Sequence, residues 1–337
     1  MQLHLSRHTL ALAHTFTISR ESYDTQNTLI VHLSHNGQTG YGEATSNPYY
    51  HITQQSLESE IEAVRSEIES FEFTNPKQFH AWLSNKDLSN FALCALDLAA
   101  HDLYGKLLDT PCYKIWGTSI EKYPISNYTI GIDSIENMVK KMEEKPWPIY
   151  KIKLGTKDDV KIVTELRKRS NAIFRIDANC AWTAEQTILY APELKKLGVE
   201  FIEQPLKAED WGGMEKVAHE AVLPIIADES CIVETDVEKC ALHFNGINIK
   251  LTKCGGLTPA LRMIKNGREL GLKIMVGCMT ESSVGISAVG QLLPQLDYVD
   301  MDGAMLLKFD IAEGIKIMDD GTVIFPSLGG CGITLLS

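Results

Sequence analysis

Residues 150–205 decide the fold: YKIKLGTKDDVKIVTELRKRSNAIFRIDANCAWTAEQTILYAPELKKLGVEFIEQP. Short apolar runs alternate here with longer segments of helical character, and Thr183 with Gln186 forms a capping box at the start of one segment. Strands that alternate with helices predict a parallel sheet with right-handed crossovers. The strand candidates in this stretch are residues 150–154, 173–177 and 199–203.

The same alternation extends to both sides of this stretch and gives eight strand candidates in all. Eight βα-type units are the number that closes a barrel. An open doubly wound sheet is the alternative, but it usually carries a Gly-rich phosphate-binding turn after its first strand, and none is present here. The five further strand candidates are residues 125–129, 224–228, 246–250, 273–277 and 298–300.

The N-terminal part has a different pattern. Residues 28–33 (TLIVHL) and 40–43 (GYGE) predict two antiparallel strands around an Asn36-Gly37 hairpin turn. After residue 45 the apolar spacing becomes helical, with Thr53 as a predicted N-cap and residues 91–108 as a largely buried helix. The first helical repeat consists of Leu57, Ile61, Val64 and Ile68.

Composition excludes several classes of protein. The 337 residues carry a net charge of −12, which argues against nucleic-acid or anionic-membrane partners. No run approaches the roughly 18 apolar residues of a membrane span, and the first ten residues lack the order of a signal peptide. Eight scattered cysteines without a C-x-x-C pair fit reduced thiols. We therefore expect a cytoplasmic protein.

Charged residues recur at the C-terminal ends of the predicted strands. The C-terminal strand ends of a closed barrel converge on one mouth, where such folds place their chemistry. Residues far apart in the chain should therefore share one small volume. They are Lys153, Asp177, Glu203, Asp228, Lys250 and Asp300.

Three of these residues, Asp177, Glu203 and Asp228, are acids on consecutive strands. Converging carboxylates repel each other unless a divalent cation neutralises them. Oxygen ligands without cysteine or histidine favour Mg²⁺ over Zn²⁺. The simpler alternative is a solvated acidic rim, since single charges at strand ends are usually exposed.

Two lysines should approach this site from opposite sides of the barrel. Lys153 ends one of the first predicted barrel strands, and Lys250 ends a strand several positions further around the barrel. A lysine acts as a base only if its pKa falls well below about 10.4. A second ammonium group and a cation both lower it, and Lys151 lies on the same strand face as Lys153. For Lys157 and Lys253, a surface position is the simpler interpretation.

Together these residues resemble the motifs of the enolase superfamily, specifically its muconate-lactonizing subgroup. The resemblance covers nearly the whole chain, and residues 40–43 and 95–105 are similar to the family's capping domain. The later predicted strands do not end in a histidine, which argues against the mandelate-racemase type. The matching motifs are Lys151-Ile-Lys153, Asp177-Ala-Asn179, Glu203-Gln-Pro205, Asp228-Glu229-Ser230 and Asn248-Ile-Lys250.

The resemblance implies an α/β fold: a modified (β/α)₇β TIM-type barrel under an α+β capping domain. We expect the cap at residues 1–121, the barrel at 122–308, and a C-terminal segment at 309–337 that returns to the cap. It also implies one Mg²⁺ per subunit on Asp177, Glu203 and Asp228, with Lys153 and Lys250 as the acid/base pair and Lys151 in support.

This site fixes the first chemical step, removal of the proton next to a carboxylate, but leaves the overall reaction open. Asp300-Met301-Asp302 is similar to the D-x-D of dipeptide epimerases, where the two acids hold the substrate's α-ammonium group. Asp302 as a turn cap before Gly303 is the alternative. Arg20 is placed by resemblance in a mobile cap loop, where it would meet a glutamate side chain, or it is an exposed loop arginine.

The sequence thus predicts a Mg²⁺-dependent dipeptide epimerase, an isomerase acting by 1,1-proton transfer on L-Ala-D/L-Glu in the recycling of cell-wall peptides. An o-succinylbenzoate synthase or N-acylamino acid racemase on the same scaffold is the alternative, and a non-catalytic binding barrel is a third. We expect a small dipeptide as the partner and neither nucleic acid nor membrane, and a homo-oligomer is compatible with the sequence. Residues 279–283 (MTESS) should line the same mouth.

Overall fold

The computed structural model of the chain describes residues 1–19 and 21–336. It contains a three-stranded antiparallel sheet with helices and an eight-stranded parallel sheet in the order of a barrel. The predicted α/β class and barrel are confirmed.

The antiparallel sheet of the cap consists of three consecutive strands. The turn between the second and third strands is the predicted one, because Asn36 and Gly37 both have positive φ, at 49° and 78°. Two such residues in a row give the hairpin turn that matches the twist of the flanking strands. The strands are β1 (Gln2–Thr17), β2 (Ser22–His35) and β3 (Gln38–Thr45).

Helices cover one face of this sheet. Thr53 caps the first helix as predicted, in a capping box with Ser56, but the predicted helical repeat is divided in two at Val64. The helices are α1 (Gln54–Ala63), α2 (Arg65–Ser70), α3 (Pro76–Leu83), α4 (Asn90–Leu107) and α5 (Cys112–Ile115), after a short 3₁₀ helix at Pro48–Tyr50.

Helix α4 is largely buried because it lies directly against β3. A Cβ atom on Gly40 or Gly42 would stand 2.2 Å from the carbonyl oxygen of Ala99 or 2.0 Å from that of Ala95. Only glycine permits such a close approach of two backbones. The GYGE motif is therefore a packing site for this helix.

The barrel strands follow one another in sheet order as they do in the chain. Every adjacent pair is parallel. The strands are β4 (Tyr128–Ile130), β5 (Ile149–Lys153), β6 (Ile173–Asp177), β7 (Val199–Glu203), β8 (Ile225–Ala227), β9 (Gly246–Ile249), β10 (Lys273–Gly277) and β11 (Tyr298–Asp300).

Helices connect these strands, and Thr183 forms the predicted capping box with Gln186. They are α6 (Ile135–Glu144), α7 (Asp159–Arg167), α8 (Ala184–Lys196), α9 (Trp211–Glu220), α10 (Asp236–Ala241), α11 (Leu251–Cys254), α12 (Leu257–Glu269) and α13 (Ser283–Gln291), with 3₁₀ turns at Leu293–Gln295 and Gly303–Leu306.

Side chains join the first and last barrel strands. The Asn127 amide donates to Asp300 Oδ1 over 2.8 Å, and the backbone N–H of Thr129 donates to Asp302 Oδ2 over 2.5 Å. Both acids at the end of β11 therefore lie at the seam of the barrel.

The C-terminal segment returns to the cap. Lys106 Nζ on α4 donates to the carbonyl oxygen of Ile333, and Asp102 on the same helix accepts from the backbone N–H of Cys331. The domain limits at residues 121 and 308 stay predictions. Up to residue 336, the segment contains four short strands: β12 (Ala312–Glu313), β13 (Lys316–Ile317), β14 (Val323–Ile324) and β15 (Thr334–Leu335).

Two features agree with the composition. All eight cysteines are free, and six of them are buried. Among the helices of residues 1–19 and 21–336, none has the length and apolar character needed to cross a membrane.

Asp97 of α4 fastens the cap to the barrel. Its buried carboxylate accepts hydrogen bonds from the backbone N–H and the hydroxyl of Thr258, at the start of α12. Helix N-termini have unpaired N–H groups, so a carboxylate from another domain stabilises this one.

We predict that Asp97→Ala destabilises the protein by about 1–3 kcal/mol, because it leaves the Thr258 N–H buried and without an acceptor. Urea unfolding followed by circular dichroism measures the change. Asp87→Ala, at an exposed aspartate of the cap, is the control and should unfold like the unchanged protein. Equal unfolding of both variants would contradict the role of Asp97.

Candidate active site

The predicted charged residues meet at the C-terminal mouth of the barrel. Lys153, Asp177 and Glu203 are neighbours in register at the ends of β5, β6 and β7. Asp228 directly follows β8 and Lys250 directly follows β9. The parallel register alone therefore gathers residues from five strands.

The three acids form one compact group. Carboxylate oxygens of Asp177, Glu203 and Asp228 lie within 4.8 Å of one another, and all three side chains are buried. Three buried carboxylates on rigid strand ends match the oxygen ligands that Mg²⁺ prefers. The donor set therefore fits the implied ion.

Lys151 lies in the centre of this acidic group and is 1% exposed. Its Nζ lies 2.8 Å from Asp300, 2.9 Å from Glu203 and 3.1 Å from Asp177. Burial disfavours the ammonium form, but these carboxylates outweigh it and raise the pKa of Lys151 well above its usual value. Lys151 is thus a fixed positive charge that joins the strand ends.

Lys153 and Lys250 stand at the two ends of the acidic group. Lys153 Nζ is 2.7 Å from Asp177, the first acid in sheet order, and Lys250 Nζ is 2.8 Å from Asp228, the last. Three strands, β6 to β8, separate β5 from β9. The two amines therefore reach the mouth from different sides.

The carboxylates differ in their tendency to bind protons. Burial opposes ionisation of Asp228, but Lys250 and Lys253 outweigh it and hold the pKa of Asp228 well below its usual value. Burial, together with the neighbouring charge of Asp177, raises the pKa of Glu203 to about 7.

The side chains do not lower the pKa of Lys250, contrary to the expectation for a base. Burial favours the neutral amine, but the contact with Asp228 outweighs it and raises the pKa of Lys250. A divalent cation on the carboxylates would compete with this ion pair, because it neutralises the same oxygens.

Asp300 and Asp302 converge, but their surroundings differ. Their carboxylates and the Cys278 thiol lie within 4.8 Å of one another. Both oxygens of Asp300 are engaged, Oδ1 by Asn127 and Oδ2 by Lys151. Asp302 accepts the Thr129 N–H on Oδ2, and burial, together with the charge of Asp300, raises the pKa of Asp302 to about 8.

Both acids face the same cavity as the two lysines. This cavity of about 200 Å³ lies between the barrel mouth and the cap, and Lys153, Lys250, Asp300 and Asp302 line it. The cap contributes residues from β1, β2 and the segment after β3, including Phe16, Tyr23 and Tyr50. Arg20 lies outside the described residues, and its predicted contact with a glutamate side chain stays a prediction.

Comparison with known proteins assigns the chain to a family. Residues 133–336 match the enolase C-terminal domain-like model, and residues 3–117 match the N-terminal domain of mandelate racemase and muconate lactonizing enzyme. The chain belongs to the enolase superfamily. The resemblance stated from the sequence motifs is confirmed.

Relatives within the enolase superfamily match over the full length. An L-Ala-D/L-amino acid epimerase of a Maribacter species is 71% identical over 335 residues, 99% of each chain. An enzyme of the same name from Flavobacterium johnsoniae is 58% identical and covers 100% of both chains. A crystal structure of an Enterococcus faecalis dipeptide epimerase, complexed with Mg and L-Leu-L-Tyr, is similar with a TM-score of 0.93, at 28% identity and 99% coverage of both chains.

Sequence reasoning missed the residues that support this enolase-superfamily site. The interpretation of Lys253 as a surface lysine is wrong, because it is 1% exposed and lies 2.6 Å from Asp228, whereas Lys157 is exposed as expected. The spacing Lys250-x-x-Lys253 directly after a strand was the available signal. No sequence signal pointed to Asn127, whose amide donates to Asp300, because the seam of the barrel brings together residues 173 positions apart.

The predicted 279–283 loop is held by the cap. Tyr23 and Thr280 share a 2.9 Å hydrogen bond, and both line the cavity. The buried Glu43 carboxylate accepts from the backbone and hydroxyl of Ser282 and from the N–H of Gly285. The GYGE motif therefore also positions a loop of the barrel mouth.

Glu281 in this loop is a second buried acid close to Glu43. Burial, together with the charge of Glu43, raises the pKa of Glu281 to about 8. A carboxyl group whose pKa is raised on folding contributes stability that is complete below its unfolded value of 4.5 and is lost as the pH rises through about 8.

We predict that Glu281→Gln removes this pH dependence. Between pH 5 and pH 9, the unchanged protein should lose unfolding free energy relative to the variant, because ionised Glu281 is buried beside Glu43. Urea unfolding across this range measures the difference. Glu269→Gln, at an exposed acid of α12, is the control; a Glu281→Gln curve parallel to this control would disprove the assignment.

Proposed function

We propose that the protein is a Mg²⁺-dependent dipeptide epimerase that inverts the α-carbon of the C-terminal residue. The observation that carries this proposal is the buried group Asp177, Glu203 and Asp228, with Lys153 at one end and Lys250 at the other. Relatives at 71% and 58% identity are named L-Ala-D/L-amino acid epimerase, which supports the same reaction.

Asp177, Glu203 and Asp228 would hold the metal ion. When bound, Mg²⁺ supplies positive charge to the substrate carboxylate, which stabilises the second negative charge that forms when the α-proton leaves. Lys151 adds a permanent positive charge behind the acids, since it contacts Asp177 and Glu203 directly.

The two remaining lysines move the proton. Lys153 Nζ, as a neutral amine, takes the α-proton from one face of the carbon, and Lys250 Nζ, as an ammonium group, donates a proton to the other face. The C–H bond that breaks and the one that forms lie on opposite faces, so the configuration inverts. The reverse reaction exchanges the two roles.

The acidic pair selects a free N-terminus. Asp300 and Asp302 line the cavity side by side, and a substrate ammonium group between them would favour the ionised form of Asp302 and make it a buried anionic partner. A dipeptide has this group one peptide unit from the carbon next to its carboxylate. The substrate of o-succinylbenzoate synthase and N-acylamino acids lack this cation, which disfavours the synthase and racemase alternatives.

The predicted contact with a glutamate at the second position is a separate matter from the reaction. It depends on Arg20, which lies outside the described residues, and the two relatives are named for amino acids in general. We therefore propose L-Ala followed by a range of residues that includes glutamate. Recycling of murein peptides in the cytoplasm stays a prediction.

We predict that Lys153→Ala and Lys250→Ala each reduce epimerisation of L-Ala-L-Glu and L-Ala-L-Phe by at least about 10²-fold, because each removes one of the two proton carriers. Chiral chromatography of the products measures the rate. In D₂O, each variant should still exchange the α-hydrogen of one epimer only. Lys157→Ala, at an exposed lysine, is the control, and normal interconversion by either active-site variant would refute the mechanism.

We predict that Asp302→Asn raises the KM for L-Ala-L-Phe about 30-fold, equivalent to about 2 kcal/mol, since it removes a buried charge partner of the ammonium group. The variant should discriminate less between this dipeptide and its N-acetyl derivative than the unchanged enzyme. Steady-state kinetics with both substrates test this. An unchanged KM of Asp302→Asn for L-Ala-L-Phe would contradict the proposed contact between Asp302 and the substrate ammonium group. Turnover of N-succinyl-phenylalanine by the unchanged enzyme that is faster than its turnover of L-Ala-L-Phe would also contradict it.

A further inference from the structure

Lys253 is a charged residue close to the metal group whose role the proposed reaction leaves open. It lies in α11, three residues after Lys250, and its side chain is fully buried. It does not line the cavity, whereas Lys153 and Lys250 do. Lys253 therefore has no access to a substrate.

The ammonium group of Lys253 is completely surrounded by acceptors. Its Nζ donates to Asp228 Oδ1 over 2.6 Å and to the backbone carbonyls of Asp228, Cys231 and Asn248. Three of these contacts lie on the strand-end loop after β8, and the fourth lies on β9. Lys253 thus joins the loop that carries Asp228 to the strand that carries Lys250.

Asp228 is held from several directions. Lys250 contacts Oδ2 and Lys253 contacts Oδ1, so the two lysines bind different oxygens of one carboxylate. The backbone N–H of Asp228 donates to Gln204 Oε1 over 2.9 Å. If Lys250 leaves its oxygen to carry a proton, the contact with Lys253 remains.

The cap holds the same turn from outside. Asn90, the first residue of α4, donates from Nδ2 to the backbone carbonyl oxygen of Lys253 over 2.7 Å. The backbone of this residue is therefore fixed by the cap while its side chain is fixed by the barrel. This arrangement leaves the ammonium group little freedom to move.

We propose that Lys253 is a positioning residue that keeps the Asp228 carboxylate oriented and charge-balanced for the metal ion while Lys250 is free to exchange a proton. The inference rests on the proposed function, since it assigns Asp228 to the metal. A purely structural lysine would stabilise the fold without affecting affinity for the ion.

The test is direct binding of Mg²⁺ to purified protein by isothermal titration calorimetry. We expect Lys253→Met to raise the dissociation constant for Mg²⁺ about 10- to 100-fold, the usual effect of removing a partner of a metal ligand. Lys265→Met, at an exposed lysine of α12, is the matched control and should bind like the unchanged protein. Binding by Lys253→Met that is equal to or tighter than that of the control overturns the proposal.

A second variant separates charge from packing. Lys253→Gln keeps a hydrogen-bond donor but loses the positive charge, and we expect it to weaken Mg²⁺ binding as well. Because Lys250 still neutralises Asp228, both variants should fold, as judged by circular dichroism; unfolding of both would assign Lys253 to fold stability and overturn the proposal. Absence of Mg²⁺ binding by the unchanged protein would instead refute the proposed function.

Discussion

Buried charge pairing at the barrel mouth is the constraint on which the rest of the structure depends. Four carboxylates, of Asp177, Glu203, Asp228 and Asp300, are contacted by the four ammonium groups of Lys151, Lys153, Lys250 and Lys253. Burying a charge is costly unless it is paired in good geometry. Parallel register supplies that geometry, because it brings the ends of neighbouring strands side by side. The cap then closes over the group, held by Asp97 at α12 and by Glu43 at the loop before α13.

The parts predicted from the sequence are those set by regular repetition. Strand spacing placed Asp177 and Glu203 at neighbouring strand ends, and the structure has them in register. The acidic group could be predicted because the strand ends of a barrel converge on one mouth regardless of the conformation of the loops. The hairpin at Asn36-Gly37 and the Thr183 capping box could be predicted as well, since each depends on a few adjacent residues.

The parts not predicted depend on contacts between distant elements. Lys253 follows a strand like a surface lysine, but the loop after β8 and strand β9 surround its ammonium group with oxygen acceptors. The difference between Asp300 and Asp302 likewise depends on Asn127 and Thr129, which the barrel seam brings next to them. Sequence spacing gives the face of a strand, but not which oxygen of a carboxylate is already occupied.

The same charge pairing bears on the chemistry, because a lysine bound to a carboxylate is a poor base. Lys250 can act as a base only if its contact with Asp228 is relaxed, so metal binding and proton transfer should be linked.

The central claim is that two amines act on opposite faces of one carbon. The most direct measurement is the deuterium content of both epimers during the first few per cent of reaction of L-Ala-L-Phe in D₂O, followed by mass spectrometry. Two bases predict a product epimer that is fully deuterated at the α-carbon and a remaining substrate that is still protonated. A product that carries the substrate's own proton would contradict this account.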